Sequence, residues 1–321
     1  MKSLFYHSEL KSEWDETVRH AKNATFLFYR DFMDYHRDRF EDCSLLFVNN
    51  KQKGIAAFPA NFNREAQRIE SHGGLTYGGL LLNKNIHLLD VKEMLVDLAN
   101  AYLQMGAQTL RYKPIPYIYH QYPAEEDLYW FFKSNAQLTA RAVSSCIDLQ
   151  DPLPFSTLRK RKLKKASELH LDIVEGGQAN WESYWTILSD VLYEHHHTHP
   201  VHSLEEILSL ANKFPDQIKL FTLHDGECLA GCVVFETLTT LHVQYIASSD
   251  RGRELGALDF LFHALITHYA EQGKHYFDFG ISTEDGGNFL NEGLLFQKEG
   301  FGGRAICYDT YDINLNKLAQ L

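Results

Sequence analysis

The chain has no apolar run long enough to cross a membrane as a helix, which takes about 18 or more consecutive apolar residues. Its first residues also lack the apolar core and cleavage site of a secretory signal, so the sequence predicts a cytoplasmic protein without membrane insertion. Positive charge is in deficit, because 31 Lys and Arg residues face 42 Asp and Glu residues, a net charge of −11. General nucleic-acid binding needs a basic surface, so this balance disfavours it.

Several signatures of catalytic and metal sites are missing as well. The five cysteines form no Cys-x-x-Cys pair, no Gly-Lys-Ser/Thr closes a phosphate loop, and no Gly-x-Ser-x-Gly marks a serine hydrolase. Segment 194–202 is rich in histidine, and His195 and His199 have the four-residue spacing of helical zinc ligands. Pro200 interrupts a helix there and no His-Glu-x-x-His motif is present, so we predict no metal.

What the chain does have is the size and composition of two globular domains. Its 321 residues are 45% hydrophobic and 23% charged, close to globular averages. Both halves show patterns for helices, a hairpin, a strand, a helix, a strand, a helix and a closing strand. We therefore predict an α/β fold with mixed sheets, built from two copies of one unit over residues 1–150 and 151–321. Segment 150–154, with two prolines, is the predicted linker.

Local signals place several elements. Ser203 followed by Glu206 is a capping box that predicts a helix start, and Asp225-Gly226 between two strand-like runs predicts a hairpin turn. A helix is predicted over residues 28–40. Another helix is predicted to carry the basic run 159–165, with an apolar stripe formed by Phe155, Leu158, Ala166 and Leu169.

This order of elements resembles the GNAT acyltransferase unit, and two units in tandem resemble the FemAB-like branch of that superfamily. Segment 277–303 is similar to the family's closing motif of strand, glycine-rich loop, helix with lysine and Phe-Gly-Gly. Segments 32–47, 58–61 and 71–79 are similar to FemAB-related bacterial acyltransferases. The resemblance covers nearly the whole chain and implies an N-acyltransferase that uses acetyl-CoA or another acyl-CoA as co-substrate.

The resemblance places the donor at the helix that follows the strand 241–248. Arg253 and Gly256 match the family's phosphate motif, R/Q-x-x-G-x-G/A, although Leu258 stands where a small residue is usual. Glycines and the N–H groups of a helix start favour a phosphate, whereas the alternative is an ordinary capped helix. The predicted cofactor-binding residues are Ile246, Ala247, Arg251, Gly252, Arg253, Gly256, Ala257 and Asn291.

Acyl transfer to an amine needs a base and a polarised thioester oxygen. The resemblance implies that a backbone N–H near residues 245–247 polarises the oxygen. The candidate catalytic residues are Asp278, Glu292 and Tyr245. Each of them fits equally well as a polar group satisfied within the core, and His242 and Gln244 share the strand of Tyr245.

The acceptor is predicted to lie between the two halves, since the first half lacks the phosphate motif. The glycine-flanked segment 71–79 is either a tight surface loop or a substrate loop. The basic run 159–165 is either a solvated helix face or a phosphate clamp for a nucleotide-linked or lipid-linked acceptor, or for tRNA. The candidate substrate-binding residues are His36, His72, Tyr77, Arg159, His199 and His202.

Three functions therefore remain open on the sequence. The leading one is acyl-CoA-dependent acylation, with acetyl as the expected group, of an amino group on an amino sugar or a cell-envelope or polysaccharide precursor. The second, implied by the same resemblance, is an aminoacyl-tRNA-dependent peptidoglycan-bridge ligase. The third is a non-catalytic binding module on a degenerate GNAT fold.

Overall fold

A computed structural model describes the whole chain apart from the side chains of residues 195 and 196. The chain divides into two compact units, and neither unit is a single continuous segment. The first consists of Met1–Ala142, Glu284–Phe289 and Cys307–Leu321, and the second of Val143–Thr283 and Leu290–Ile306. The units therefore differ from a simple division at residue 150, because the closing strand of each half begins in one unit and ends in the other.

The first unit is built on two small sheets. Its elements are β1 (Lys2–Phe5), α1 (Lys11–His20), α2 (Arg30–Met33), β2 (Glu41–Asp42), β3 (Leu45–Val48), β4 (Gly54–Phe58), β5 (Asn61–Asn63), β6 (Arg68–Glu70), β7 (Leu81–Leu82), α3 (Leu88–Gln104), β8 (Thr109–Tyr112), α4 (Glu126–Lys133) and the start of β9 (Gln137–Asp148). Short 3-10 turns cover Ser8–Leu10, Phe26–Phe28, Asp34–His36 and Tyr117–Tyr119. One sheet has the order β1-β3-β4-β7.

The second unit contains the elements from α5 to α10. They are α5 (Thr157–Ser167), β10 (Asp172–Glu175), α6 (Gln178–His196), α7 (Leu204–Lys213), β11 (Ile218–Asp225), β12 (Glu227–Glu236), β13 (Thr240–Ser248), α8 (Asp250–Leu255), α9 (Ala257–Glu271), β14 (Tyr276–Ile281) and α10 (Glu292–Gly300). The chain then ends with β17 (Arg304–Asn314) and α11 (Leu315–Leu318), after the short crossing strands β15 (Thr283–Glu284) and β16 (Phe289–Leu290) and the turn Asp285–Gly287.

The two units repeat one arrangement of strands. In the second unit the order is β10-β11-β12-β13-β14-β9, with only β13 and β14 parallel. In the first unit the larger sheet has the order β2-β5-β6-β8-β17, with only β6 and β8 parallel. The strand next to each parallel pair comes from the other half of the sequence. β9, at the end of the first half, lies beside β14, and β17, at the end of the second half, lies beside β8. The predicted repeat of the element order is confirmed.

Local sequence signals fold as predicted where they depend on near neighbours. The Ser203 hydroxyl accepts from the N–H of Glu206, whose carboxylate accepts from the N–H of Ser203, which closes the capping box of α7. Gly226 takes a left-handed φ of 73° in the turn between β11 and β12. By contrast, the single helix predicted over 28–40 is wrong, because α2 spans only four residues and is flanked by two 3-10 turns.

The apolar stripe predicted for α5 is also wrong. Leu158 and Leu169 are exposed and Phe155 precedes the helix, whereas the buried residues of α5 are Arg159 and Ala166. A basic side chain is buried there because it finds a carboxylate partner on α9, as described below.

Candidate functional site

The parallel strands β13 and β14 separate after three paired residues. Thr240–His242 pair with Tyr276–Asp278, and no further pairing joins the two strands. Beside the gap, β13 carries a bulge against β12, because Val233 and Val234 face Tyr245 and Val243 and leave Gln244 as an extra residue. A bulge bends its strand and sharpens its twist. The sheet is therefore open between the carboxyl ends of β13 and β14.

Lys298 of α10 holds the diverging end of β14. Its Nζ donates to the carbonyl oxygens of Gly280, at 2.8 Å, and Ile281, at 2.7 Å. Gly280 adopts a left-handed φ of 74°, a conformation that costs glycine little. Burial lowers the pKa of Lys298 to about 8. The sequence motif drew attention to a lysine in this helix, but its partners are set by the tertiary structure.

A pocket of about 300 Å³ occupies the gap. Ile246 packs with the core under α9, whereas the neighbouring Tyr245 packs against Trp185 of α6, with ring centroids 5.4 Å apart. Because adjacent strand residues point to opposite faces, α9 and α6 lie on opposite faces of the sheet. The pocket is lined from α9 and α10 and also by Val191 of α6, so it passes through the sheet.

Backbone donors of β13 face this gap. The N–H of Ser249 donates to the Leu229 oxygen, and Ala247 pairs with Gly231 in the same ladder. Hydrogen bonding alternates along an antiparallel strand, so the N–H groups of Ser248 and Ile246 point away from β12. Of residues 245–247, where a backbone N–H was predicted to polarise a thioester oxygen, Ile246 is the one whose N–H is directed into the gap.

One end of the pocket is the junction of α8 and α9. Gly256, with a φ of 78°, ends α8 and begins α9, and no side chain caps the first turn of α9. Gly256, Ala257 and Leu258 all line the pocket. The N-terminal end of a helix with uncapped N–H groups attracts anions.

The two candidate arginines point in different directions. Arg253 lines the pocket, and its guanidinium donates to the Ser248 oxygen at 2.7 Å and to Asp250. Arg251 instead pairs with Asp225 and Glu227 in the β11–β12 turn and does not line the pocket. Gly252 is buried, and a Cβ there would overlap the Leu229 oxygen.

Helix α5 brings two further cations to the pocket. Arg159 is 9% exposed, donates to Asp259 of α9 at 3.1 Å, and lies 4.6 Å over the ring of Phe301. Lys162 lines the pocket, and its carbonyl oxygen would lie 2.9 Å from a Cβ at Gly256. Only a glycine allows α5 to pack this closely on the α8–α9 junction. Arg159, predicted as an acceptor residue, thus lies in the pocket with the predicted donor residues.

Sequence comparison now identifies this unit. Residues 157–286 match the family described as acetyltransferase (GNAT) domain. The second unit contains a GNAT domain. No curated protein matches the chain in sequence.

Solved structures extend the likeness in fold to the whole chain. FemX matches with a TM-score of 0.70 at 10% identity, covering 100% of this chain and 99% of that chain. The C-terminal domain of a protein assigned as a lysylphosphatidylglycerol synthetase from Agrobacterium fabrum matches with a TM-score of 0.60 at 15% identity, covering 98% of this chain and 94% of that one. L-PGS from Bacillus licheniformis matches with 0.59 at 11% identity, covering 94% and 90%. The chain therefore has a FemX-like fold of two tandem GNAT-like units.

Two pairs of polar side chains lie on the α6 face of the GNAT domain. Asp278 is fully buried and accepts from His242 Nδ1 at 2.7 Å, from the N–H of Gly280 at 3.3 Å and from Ser144 Oγ. The Tyr245 hydroxyl lies 2.7 Å from His202 Nδ1 and 3.2 Å from the His202 backbone nitrogen. Burial raises the pKa of Tyr245. Asp278 and Tyr245 were predicted from the sequence, whereas the partner His242 was considered but not selected.

The remaining predicted residues of this unit lie nearer the surface. Asn291 caps α10 by accepting from the N–H of Leu294 at 3.0 Å, and Glu292 is exposed in the first turn. His199 is exposed and stacks on Tyr193 with centroids 6.1 Å apart. Among the side chains that the structure describes, no group of three metal-ligand residues converges, and the predicted zinc-spacing partner His195 lies outside them.

In the first unit the chain itself fills the corresponding gap. The parallel pair β6–β8 ends at Glu70 and Arg111. Beyond it, three hydrogen bonds of 2.8 Å cross the gap. The N–H of Ser71 donates to the Arg111 oxygen, the N–H of Lys113 donates to Ser71 Oγ, and the N–H of Gly78 donates to the Lys113 oxygen. Segment 71–79 is therefore largely buried, with Gly73 and Thr76 exposed, and it closes the gap beyond the β6–β8 pair.

The predicted substrate residues of the first unit are buried around this segment. Tyr77 is 3% exposed and packs on Tyr119 with ring centroids 4.6 Å apart. His36 and His72 are 2% and 3% exposed and stack on each other at 5.2 Å. Burial lowers the pKa of His36 and lowers that of His72 to about 3, so both rings are neutral at pH 7.

Gly78→Ala is expected to lower the free energy of unfolding of the first unit by about 1–3 kcal/mol, the usual cost of overpacking. A Cβ at this position would overlap the Ser71 backbone oxygen, and Ser71 is itself held in place by the bond from its N–H to the Arg111 oxygen. Urea unfolding measures the change. Gly293→Ala is the matched control, since its Cβ would meet no atom closer than 3.7 Å. Equal stability of the two variants would contradict this account of segment 71–79.

None of the helices in the described part of the chain combines the length and the apolar character that a membrane span requires.

Proposed function

We propose that the protein is an acyl-CoA-dependent N-acyltransferase whose donor binds to the GNAT domain. The observation that carries the proposal is the pocket through the sheet, with an uncapped helix start and cations at one end and the Ile246 N–H in the gap. The α8–α9 junction, Arg253 and Lys162 would hold the diphosphate. The N–H of Ile246 would polarise the thioester oxygen, because a fixed backbone donor stabilises developing negative charge.

The acyl-CoA fits the residues present. A diphosphate carries two or more negative charges. The pocket is lined by the cations Arg159, Lys162, Arg253 and Lys298 and by one carboxylate, that of Asp259, which pairs with Arg159. The aromatic side chains of Phe262, Phe279 and Phe301 pack together at 5.1–5.5 Å on the α9 side and give the gap an apolar wall. When bound, acyl-CoA supplies the activated acyl group.

For the acceptor we propose an amine of the cell envelope, such as an amino sugar or another polysaccharide or lipid-linked precursor. The second structure above supports an envelope acceptor by name, because its protein is assigned as a lysylphosphatidylglycerol synthetase. We place the acceptor on the α6 face, since the pocket reaches Val191 there.

Arg253→Ala is expected to weaken CoA binding by about 1–3 kcal/mol, roughly 5- to 150-fold in Kd, the range for a lost charge-assisted hydrogen bond. Isothermal titration of the protein with CoA measures the change and should give one site per chain, because segment 71–79 fills the gap of the first unit. Arg251→Ala is the matched control and should bind normally, since Arg251 is engaged by Asp225 and Glu227. Unchanged affinity in both variants would refute the donor site.

An aminoacyl-tRNA donor is a second candidate, and the exposed face of α5 favours it. Lys160, Arg161 and Lys164 are exposed beside the pocket residues Arg159 and Lys162. A tRNA would neutralise these charges, so its affinity would fall steeply with salt. The triple variant Lys160→Gln, Arg161→Gln, Lys164→Gln separates the two donors: loss of tRNA binding with CoA affinity unchanged supports tRNA, and absence of tRNA binding by the unsubstituted protein at low salt excludes it.

A further inference from the structure

The pair His242–Asp278 occupies the last rung of the parallel ladder between β13 and β14. His242 is opposite Asp278 in the register, and the next residues along both strands already diverge. The donor gap therefore begins at this pair. The His242 ring packs against the bend of β14, since its Cε1 would lie 3.4 Å from a Cβ at Gly280.

The pair lies on the face of the sheet where we place the acceptor. Leu241 and Val243 belong to the core beneath α9, so His242 between them points to the α6 face. Its side chain is 12% exposed, whereas that of Asp278 is completely buried. His242 therefore lies where the gap begins, on the face of the sheet where we place the acceptor and four residues before Ile246 on β13.

The hydrogen bonds fix which nitrogen of His242 carries a proton. Asp278 accepts from Nδ1 at 2.7 Å, and its other oxygen accepts from the Ser144 hydroxyl and the Gly280 N–H. A carboxylate satisfied in this way holds the ring as the tautomer protonated at Nδ1, which leaves the basic lone pair on Nε2. This is the arrangement of a base oriented by a buried carboxylate.

We propose that His242 is the general base of the acyl transfer and that Asp278 is its positioning residue. This role rests on the proposed N-acyltransferase function. The amine nitrogen attacks the thioester carbonyl carbon and forms the C–N bond while one of its protons passes to His242 Nε2. The C–S bond breaks, its electron pair stays on sulfur, and the sulfur takes up a proton and leaves as the CoA thiol. His242 returns its proton to solvent.

His242→Asn tests the base, because the amide can still donate to Asp278 and preserve the fold but cannot accept the amine proton. Thiol release from acetyl-CoA is measured with glucosamine, lysine or water as the acceptor. We expect turnover to fall about 10²- to 10⁴-fold, the usual contribution of a general base, with CoA affinity and the unfolding midpoint unchanged. Imidazole added to His242→Ala should restore part of the turnover. His268→Asn, an exposed histidine on α9, is the matched control.

Asp278→Asn tests the positioning role in a comparison of single and double variants. Cys146 of β9 and Lys298 of α10 also interact electrostatically with Asp278, and neither residue is changed in this variant. Without the carboxylate, the His242 ring is no longer held with its proton on Nδ1, so kcat should fall while CoA affinity and the unfolding midpoint stay unchanged. In the His242→Asn background, Asp278→Asn should cause no further loss of turnover. A further loss in the double variant would reduce Asp278 to a structural role.

The outcomes separate the two proposals. Two results would overturn the assignment of His242 as the base: turnover of His242→Asn within about threefold of the unsubstituted protein, or failure of imidazole to rescue His242→Ala. If CoA still binds in either case, the proposed function stands. If the unsubstituted protein neither binds CoA nor releases thiol with any of the three acceptors, the proposed function fails and the base fails with it.

Discussion

Arg30→Ala is expected to lower the free energy of unfolding of the first unit by about 2–5 kcal/mol, the usual cost of truncating a large buried side chain. The Arg30 side chain is completely buried, and its guanidinium carbon lies 3.3 Å from the ring centre of Tyr6 and 4.0 Å from that of Trp14. It also pairs with Asp42, so the variant loses two cation–π contacts and an ion pair and leaves a cavity.

Urea unfolding followed by tryptophan fluorescence measures this loss, since Trp14 reports directly on the site. Arg30→Lys should recover only part of the stability, because a compact ammonium group lacks the flat guanidinium that stacks on both rings. Arg19→Ala is the matched control and should change stability by less than about 1 kcal/mol, because the Arg19–Glu16 pair is exposed. Equal effects of Arg30→Ala and Arg19→Ala would contradict a buried cation as the anchor of this unit.

Lowering the pH from 7.5 to 5 is expected to destabilise the first unit by about 3 kcal/mol. Burial lowers the pKa of His72 to about 3 and that of His120 to about 4, and it also lowers that of His36. Below pH 6.5 the unfolded chain binds protons that the folded unit excludes, so stability falls as the pH falls, by about 1.4 kcal/mol per unit for each group. Asp127 offsets this loss of stability by about 1.4 kcal/mol. Burial raises its pKa to about 6, so below pH 6 the folded unit binds a proton there that the unfolded chain does not bind.

The double variant His72→Asn, His120→Gln separates these histidines from the other groups. Asparagine is chosen at position 72 because the backbone φ there is 60°, which asparagine tolerates. Urea unfolding at several pH values should show a much weaker acid dependence than in the unsubstituted protein, whereas the exposed-histidine variant His268→Gln should retain the full dependence. If the double variant remains as acid-sensitive as the unsubstituted protein, neutral buried histidines do not set the pH response.

The order of helices and strands was readable from the sequence, because periodicity, capping and turn residues act between near neighbours. The capping box at Ser203 and the turn at Gly226 are examples, and the same patterns predicted the tandem α/β units. The exchange of β9 and β17 between the units was not readable, because each half contains a closing strand and only strand pairing decides which sheet it completes.

The segment that holds the proposed donor site was also selected from the sequence, because glycines and arginines stand at a helix start there. The choice between Arg251 and Arg253 was decided by the β11–β12 turn, whose Asp225 and Glu227 engage Arg251. The cations Arg159 and Lys162 reach the same pocket from nearly 100 residues away, because α5 packs on α9 and Arg159 pairs with Asp259.

The catalytic candidates divide in the same way. The sequence determined that Asp278 lies within a buried strand, but its partner His242 stands 36 residues earlier and Ser144 stands 134 residues earlier. Segment 71–79 has a glycine pattern typical of loops, and only the tertiary structure decided that it bonds to residues 111–113 beyond the end of the β6–β8 pair and is largely buried. Residue types and near-neighbour spacing set the local elements and the chemistry available, whereas burial and long-range hydrogen bonds decided which side chains meet.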